Sequence, residues 1–248
     1  MSKHPPERPC IIAMDRREPS IEAGDHPDAV FRPCVFPPGI PRDTPYADRP
    51  RTVLPVERVT LGTGDYSLPG LEHLVALERK SGPDLLHTLF GEWEDSNGEM
   101  HPNLDRFRAE LERAQDFAYF KIVCEVDERW LFAEARRRFE TYGKSFDPFS
   151  VLALLRGFDV DLGAPTIWTG SKGLAEIEVG STLARVWSQA TGGKDARKAR
   201  ERGYAPPWLG VLEGQVPAVE EPPAAPAPRR KPASRFTASG ELIPRGGS

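Results

Sequence analysis

The chain has 248 residues, a net charge of −4, a modest 39% of hydrophobic residues and 26 prolines. A negative net charge excludes bulk attraction to nucleic acid, so any DNA contact requires local clusters of Arg and Lys. The three cysteines are widely spaced and form no CxxC pair, which argues against a disulfide framework and a zinc site. No apolar run approaches the roughly 18 residues that span a bilayer, and the first residues lack a secretion signal. We therefore expect a cytoplasmic protein without a membrane partner, and its Ala-, Arg- and Pro-rich composition hints at a bacterial or phage gene.

Prolines are crowded at both ends of the chain, which predicts one ordered domain between two tails. We expect residues 1–8 to be disordered, 9–191 to form the domain, and 192–248 to be a Pro/Ala-rich, basic, disordered tail. Residues 19–51 are rich in Pro, Asp and Arg without periodicity. This pattern predicts a surface loop or a mobile insertion. A segment of this length is usually either functional or disordered, and both alternatives stay open.

Three β-strands are predicted in the first third of the domain. The apolar run 10–14 is typical of a buried strand, alternation over 53–61 predicts a second, and 74–80 predicts a third. Because these three strands run consecutively with short turns, we expect them to form an antiparallel meander.

Helices dominate the rest of the domain. Ser81 is a plausible N-cap for a helix over 83–90, and 91–103 reads as a polar loop. A helix is predicted over 104–114, followed by a strand over 119–126. Two helices then follow, over 128–142 and from 147. The last elements are a strand over 164–169 and a helix over 172–190. The order predicts an α/β domain whose central mixed sheet is flanked by helices.

Acidic residues and one lysine gather at predicted strand ends. The period of two places Glu78 and Lys80 on one face of their strand, and Asp65 comes from the turn before it. Asp15 and Glu18 close the first apolar strand. A charged triplet alone is more often a solvated face, but carboxylates gathered at one edge repel each other unless a divalent cation lies among them. The pattern therefore predicts a metal-dependent phosphodiesterase site.

The same residues carry a family resemblance. Gly64-Asp65, a gap, and then Glu78-Arg79-Lys80 followed by Asp84 resembles the signature of the XPF family of structure-specific endonucleases. The resemblance extends over about residues 9–191, through Asp15-x-Arg17-Glu18, Arg106-Phe107, Glu110-Leu111, Ile122 to Glu125 and Pro148-x-Ser150-Val151.

The resemblance implies a restriction-endonuclease-like core that uses Mg²⁺ or Mn²⁺ to cut branched, flap or fork DNA, in repair, recombination or phage genome processing. By position, Asp65 and Glu78 would be the principal metal ligands, and Asp15 with Glu18 would complete the acidic cluster. Lys80 would orient or help deprotonate the attacking water. Four further residues would contact phosphate or brace the acids: Arg17, Arg79, Asp84 and Arg106.

DNA is the expected partner, and the resemblance also suggests a homodimer or heterodimer through the late helices of the domain. The proline-rich tail cannot form the helix-hairpin-helix pair that such nucleases usually append. One alternative is a DNA-binding scaffold that recruits a partner and cuts little itself. Another is a site-specific restriction-type nuclease acting on plain duplex.

Overall fold

A computed structural model describes residues 9–19, 24–27, 29–37, 39–41, 43–45, 48–193 and Leu212. Six strands form the central sheet: β1 (Ile12–Asp15), β4 (Val56–Val59), β5 (Tyr66–Ser67), β6 (Val75–Lys80), β9 (Tyr119–Cys124) and β10 (Thr166–Trp168). Five helices accompany it: α1 (Gly82–Phe90), α2 (Asn103–Ala114), α3 (Glu128–Tyr142), α4 (Pro148–Leu162) and α5 (Lys172–Ala190). The predicted α/β class, with a central mixed sheet flanked by helices, is confirmed.

The strand order of the sheet is β10-β9-β6-β5-β1-β4. β4 pairs in parallel with β1, and β6 and β10 pair in parallel with β9, whereas β5 pairs antiparallel with both β1 and β6. The predicted meander is therefore wrong. The connection from β1 to β4 is long enough to return the chain to the start of the sheet, as a parallel pair requires. β5 has only two residues, too few to show periodicity.

Side chains of the sheet pack into two hydrophobic clusters, one on each face. Ala76 of β6 belongs to the cluster with α1, α2, α3 and α4, and its neighbours Val75 and Leu77 belong to the cluster with α5. β6 is therefore buried on both faces, as expected for a central strand. Leu212 is fully buried in the second cluster.

The described part of the insertion predicted over 19–51 packs against the sheet. Two short strands, β2 (Cys34–Val35) and β3 (Thr52–Val53), form an antiparallel pair that contacts α5. A β-carbon added at Gly180 of α5 would collide with the backbone of Cys34, so this close approach requires glycine. The ring of Phe31 is buried 4.9 Å from that of Tyr66. This part of the insertion thus contributes to the second cluster.

The predicted loop 91–103 is wrong, because it holds a hairpin of β7 (Glu92–Glu94) and β8 (Met100–Pro102). Both strands are short and exposed, so the sequence gives no apolar alternation to reveal them. The predicted single strand over 53–61 is wrong, because this segment is divided between β3 and β4, which belong to different sheets. The boundaries of the helices lie close to the predicted ones, and Ser81 caps α1 as expected. No helix in the described part of the chain is long and apolar enough to cross a membrane. The predicted N-terminal segment and nearly all of the predicted tail lie outside the described residues.

Candidate active site

A lysine and a glutamate form a buried ion pair at the end of β6. Nζ of Lys80 lies 2.7 Å from Oε1 of Glu78, and both side chains are nearly excluded from solvent. The pair shares one face because the two residues are separated by two positions in a strand. Asp84, in the first turn of α1, approaches the same ammonium at 3.5 Å, and Nζ lies 4.9 Å from the centre of the Phe107 ring.

Asp65 is delivered to this pair by the turn that enters β5. Its Oδ2 accepts a hydrogen bond of 2.8 Å from the backbone N–H of Arg79. The preceding Gly64 has φ +74°, and an added β-carbon would lie 2.9 Å from Cβ of Ala76. Glycine is therefore required for the turn to pass close enough to β6 to place Asp65 there.

The electrostatics of these acids are unfavourable without a cation. Burial raises the pKa of Asp65 well above its usual range, and the charges of Glu78 and Glu18 raise it further. Burial also raises the pKa of Glu78, although the ammonium of Lys80 opposes this effect. Burial alone would lower the pKa of Lys80, but the negative charges of Glu78, Asp84 and Asp65 outweigh it and raise that pKa. A donor set of mutually repelling carboxylates fits a hard divalent cation, because the cation removes the repulsion.

Glu18 is engaged on the opposite face of β6. Its Oε2 accepts hydrogen bonds from the hydroxyl of Tyr66 at 2.6 Å and from Nη1 of Arg79 at 3.2 Å. Nε of Arg79 donates to Glu125 at 2.7 Å, and the guanidinium carbon lies 4.9 Å from the centre of the Phe31 ring. Burial alone would lower the pKa of Arg79, but the hydrogen bond to Glu125 and the neighbouring charges raise it. Arg79 thus braces the rear of the strand that carries the acid–lysine pair.

Asp15 is buried at the end of β1 and its carboxylate is fully engaged. Oδ1 accepts from the backbone N–H and Nε of Arg17, both at 2.7 Å, and Oδ2 accepts from the backbone N–H of Leu61 at 2.8 Å. Burial opposes ionisation, but these hydrogen bonds prevail and lower the pKa of Asp15. The Arg17 side chain is 75% exposed and is available to contact a ligand. Arg106 is exposed on α2, next to the buried Phe107.

Several residues of this region were absent from the predicted site. Glu110 of α2 accepts a hydrogen bond of 3.0 Å from the backbone N–H of Gly64, and Glu125 and Phe31 hold Arg79. The sequence carries two signals for Glu110: Glu110-Leu111 is part of the family resemblance, and Glu110 lies three positions after Phe107, on the helix face that packs toward the sheet. The contacts of Glu125 and Phe31 depend on tertiary packing.

A second group of possible metal ligands lies in the β7–β8 hairpin. One ligand atom each from Asp95, Glu99 and His101 lies within 4.8 Å of the others, so the group could hold a metal ion. None of the three is among the predicted ligands. Bonds within the hairpin also account for the geometry, since Asp95 accepts from the backbone N–H groups of Asn97 and Glu99 and lies 3.4 Å from His101.

Solved structures similar to this chain include two of XPF from Aeropyrum pernix. No protein-family model matches the chain, and no curated protein matches it. XPF from Aeropyrum pernix is similar with a TM-score of 0.42 and 17% identity, over 77% of this chain and 69% of that chain. XPF from Aeropyrum pernix in complex with DNA is similar with a TM-score of 0.38 and 17% identity, over 73% of this chain and 66% of that chain.

Proposed function

We propose that this protein is a metal-dependent DNA endonuclease that hydrolyses phosphodiester bonds in branched, flap or fork DNA. One observation carries the proposal: the half-buried Asp65 lies beside the buried Glu78 and Lys80 of β6, where the acids repel each other in the absence of a cation. The order of these residues also resembles the XPF signature. A pair of acids with an adjacent lysine suits phosphodiester hydrolysis, in which a water is activated beside a charged phosphate.

Asp65 and Glu78 would hold Mg²⁺ or Mn²⁺. When bound, the cation lowers the pKa of a water and stabilises the negative charge that develops on the phosphate. Lys80 orients that water, because its ammonium is fixed between Glu78 and Asp84. Attack of the water oxygen forms a bond to phosphorus as the bond to the leaving oxygen breaks.

Asp15 and Glu18 complete the acidic cluster indirectly. Glu18 acts through Arg79, and Asp15 acts through Arg17, because both carboxylates are already engaged by these arginines. The exposed Arg17 supplies a phosphate contact beside the acids. Arg106 offers a second positive charge on α2, and local charges of this kind are needed because the chain carries a net charge of −4.

The test is incubation of the purified protein with fluorescent fork, flap and plain duplex DNA in Mg²⁺ or Mn²⁺. We expect cleavage of the branched substrates that Asp65→Ala abolishes and that Asp116→Ala, a change of an exposed acid on the surface, leaves intact. DNA binding without any cleavage would support the scaffold alternative instead. Sequence-dependent cuts in plain duplex would support a restriction-type nuclease. Measurement of the solution mass tests the dimer that the family resemblance suggests, and a strictly monomeric mass counts against it.

A further inference from the structure

Aromatic and arginine side chains follow one another along one exposed side of α3. Successive members of this set lie three or four positions apart, so they share that side of the helix. We call the set the aromatic–arginine face: Arg129, Phe132, Arg136, Phe139 and Tyr142. All five are exposed, and Phe139 and Tyr142 keep 62% and 68% of their surface in solvent. Exposed rings gathered in one place are typical of a binding surface.

The start of α4 widens this face. The exposed ring of Phe149 packs edge-on against Phe132, with the ring centres 5.2 Å apart and the planes at 79°. Phe149 does not cover its neighbour, because Phe132 remains exposed. Phe149 also lies within the Pro148-x-Ser150 motif, to which the proposed function assigns no role. Aromatic surface from two helices is thus continuous here.

The aromatic–arginine face begins next to the candidate active site. β9 ends beside β6, where the backbone N–H of Glu125 donates to the carbonyl oxygen of Lys80 at 2.9 Å, and α3 begins shortly afterwards at Glu128. In the first turn of α3, the ring of Trp130 lies so close to Gly82 of α1 that a β-carbon added there would collide with it. From this end the face extends along the helix for about 20 Å.

The two arginines of the face are available to phosphate. Nε of Arg136 lies 2.7 Å from Glu140, but the Arg136 side chain is 81% exposed, and surface ion pairs contribute little to stability. Within the described residues, Arg129 forms no ion pair. Covering the face with an apolar protein surface would remove both guanidinium groups from water without a counter-charge, which is costly. A nucleic acid strand supplies a negative charge at every nucleotide.

We propose that the aromatic–arginine face binds single-stranded DNA, with bases stacked on its rings and phosphates held by Arg129 and Arg136. This inference rests on the proposed function, because a flap or fork carries a single-stranded arm. The alternation of rings and cations matches the alternation of bases and phosphates along one strand. In a duplex the bases stack on each other and their faces cannot reach the rings, so this face distinguishes a single strand from a duplex.

Stacking can be separated from apolar packing and from charge. Phe139→Leu keeps an exposed apolar side chain but removes the ring, Phe139→Trp keeps a ring, and Arg136→Gln removes one charge. Val160→Ala, at an exposed apolar residue of α4, is the control. Fluorescence anisotropy measures binding of a labelled oligothymidylate to the full chain in EDTA, beside a blunt duplex of equal length. Thermal unfolding checks that each variant is folded.

We expect the wild type to bind the oligothymidylate more tightly than the duplex. The dissociation constant of Phe139→Leu for the oligothymidylate should rise by roughly 5- to 150-fold, the loss that corresponds to one stacked base. Phe139→Trp and Val160→Ala should bind as the wild type does. Arg136→Gln should reduce the slope of the logarithm of affinity against the logarithm of salt concentration by about 0.7, as expected for one phosphate contact on a single strand.

Unchanged oligothymidylate binding by Phe139→Leu overturns the inference, and so does an equal loss of affinity for single strand and duplex. A lower solution mass of Phe139→Leu with DNA binding intact also overturns it, because the face would then bind a second copy of the chain. Fork cleavage by a wild type that does not bind the oligothymidylate overturns the inference and leaves the proposed function intact. Oligothymidylate binding that requires Phe139, without cleavage in Mg²⁺ or Mn²⁺, supports the face and overturns the proposed nuclease.

Discussion

Replacing Asp65 by Asn should stabilise the protein when no divalent cation is bound, although it should abolish cleavage. Burial and the neighbouring charges of Glu78 and Glu18 raise the pKa of Asp65 in the folded state. In the unfolded chain the pKa of an Asp side chain is about 4. The contribution of the protonated Asp65 carboxyl to the free energy of unfolding is fully present below the unfolded pKa. It is lost as the pH rises through the folded pKa. At a pH above both values the ionised side chain therefore destabilises the fold.

The magnitude follows from the size of the pKa shift. Each unit by which folding raises the pKa costs about 1.4 kcal/mol at a pH above both values, which corresponds to about 3–6 °C in Tm for a domain of this size. Asn removes this cost and retains an oxygen that can accept from the N–H of Arg79, the hydrogen bond that Asp65 makes at 2.8 Å.

The assay is thermal unfolding followed by circular dichroism in EDTA between pH 4 and pH 8. Asp65→Asn should have the higher Tm at pH 7.5, and the difference from wild type should disappear near pH 4. Added Mg²⁺ should stabilise the wild type more than the variant. Asp116→Asn, at an exposed acid, serves as the control. A Tm for Asp65→Asn at or below that of the wild type at pH 7.5 would falsify this account of the buried acids.

Three further substitutions test the surroundings of the site. Lys80→Met should lower the single-turnover cleavage rate by roughly 10²- to 10⁴-fold, as expected for loss of a group that positions a proton transfer, while Mn²⁺ titration still detects binding. Glu125→Gln removes the 2.7 Å ion pair with Arg79 and should cost roughly 3 kcal/mol in urea unfolding, and an unchanged midpoint would contradict the bracing role. Gly64→Ala should cost at least about 1–2 kcal/mol, since φ is +74° and the new methyl group meets Ala76, and wild-type stability would show that the turn relaxes freely.

The central strand and its chemistry could be read from the sequence because both are local. An apolar run that ends in Glu78-Arg79-Lys80 is typical of a buried strand, and the period of two fixes which side chains share a face. Ser81 and Asp84 likewise mark the start of α1 through capping and charge. These features depend on neighbours within a few residues.

The pairing of strands depends on contacts between distant segments, and the sequence does not reveal it. β5 is too short to show alternation, yet it separates β1 from β6 and makes the sheet mixed. The long connection over 16–55 gives the chain enough length for β4 to return parallel to β1. From the sequence alone, a short turn between two predicted strands is the same whether or not those strands pair with each other in the sheet.

The supporting residues of the site were hidden for the same reason. Glu125 reaches Arg79 because β9 and β6 pair in parallel with their ends in register, so its position after β9 is meaningful only once the sheet is known. Phe31 reaches Arg79 through the fold of the insertion. The motif predicts which residues carry the chemistry, and tertiary structure decides which residues hold them.

The two-faced burial of β6 limits how this segment can change during evolution. Glu78 and Lys80 point to one side of the sheet and Arg79 to the other, where Glu18 and Glu125 bind it. Insertion or deletion of one residue within the strand would exchange the faces, placing the guanidinium among the acids and the lysine in the apolar cluster behind. The spacing within this strand is therefore under stronger constraint than the identity of any one of its apolar residues.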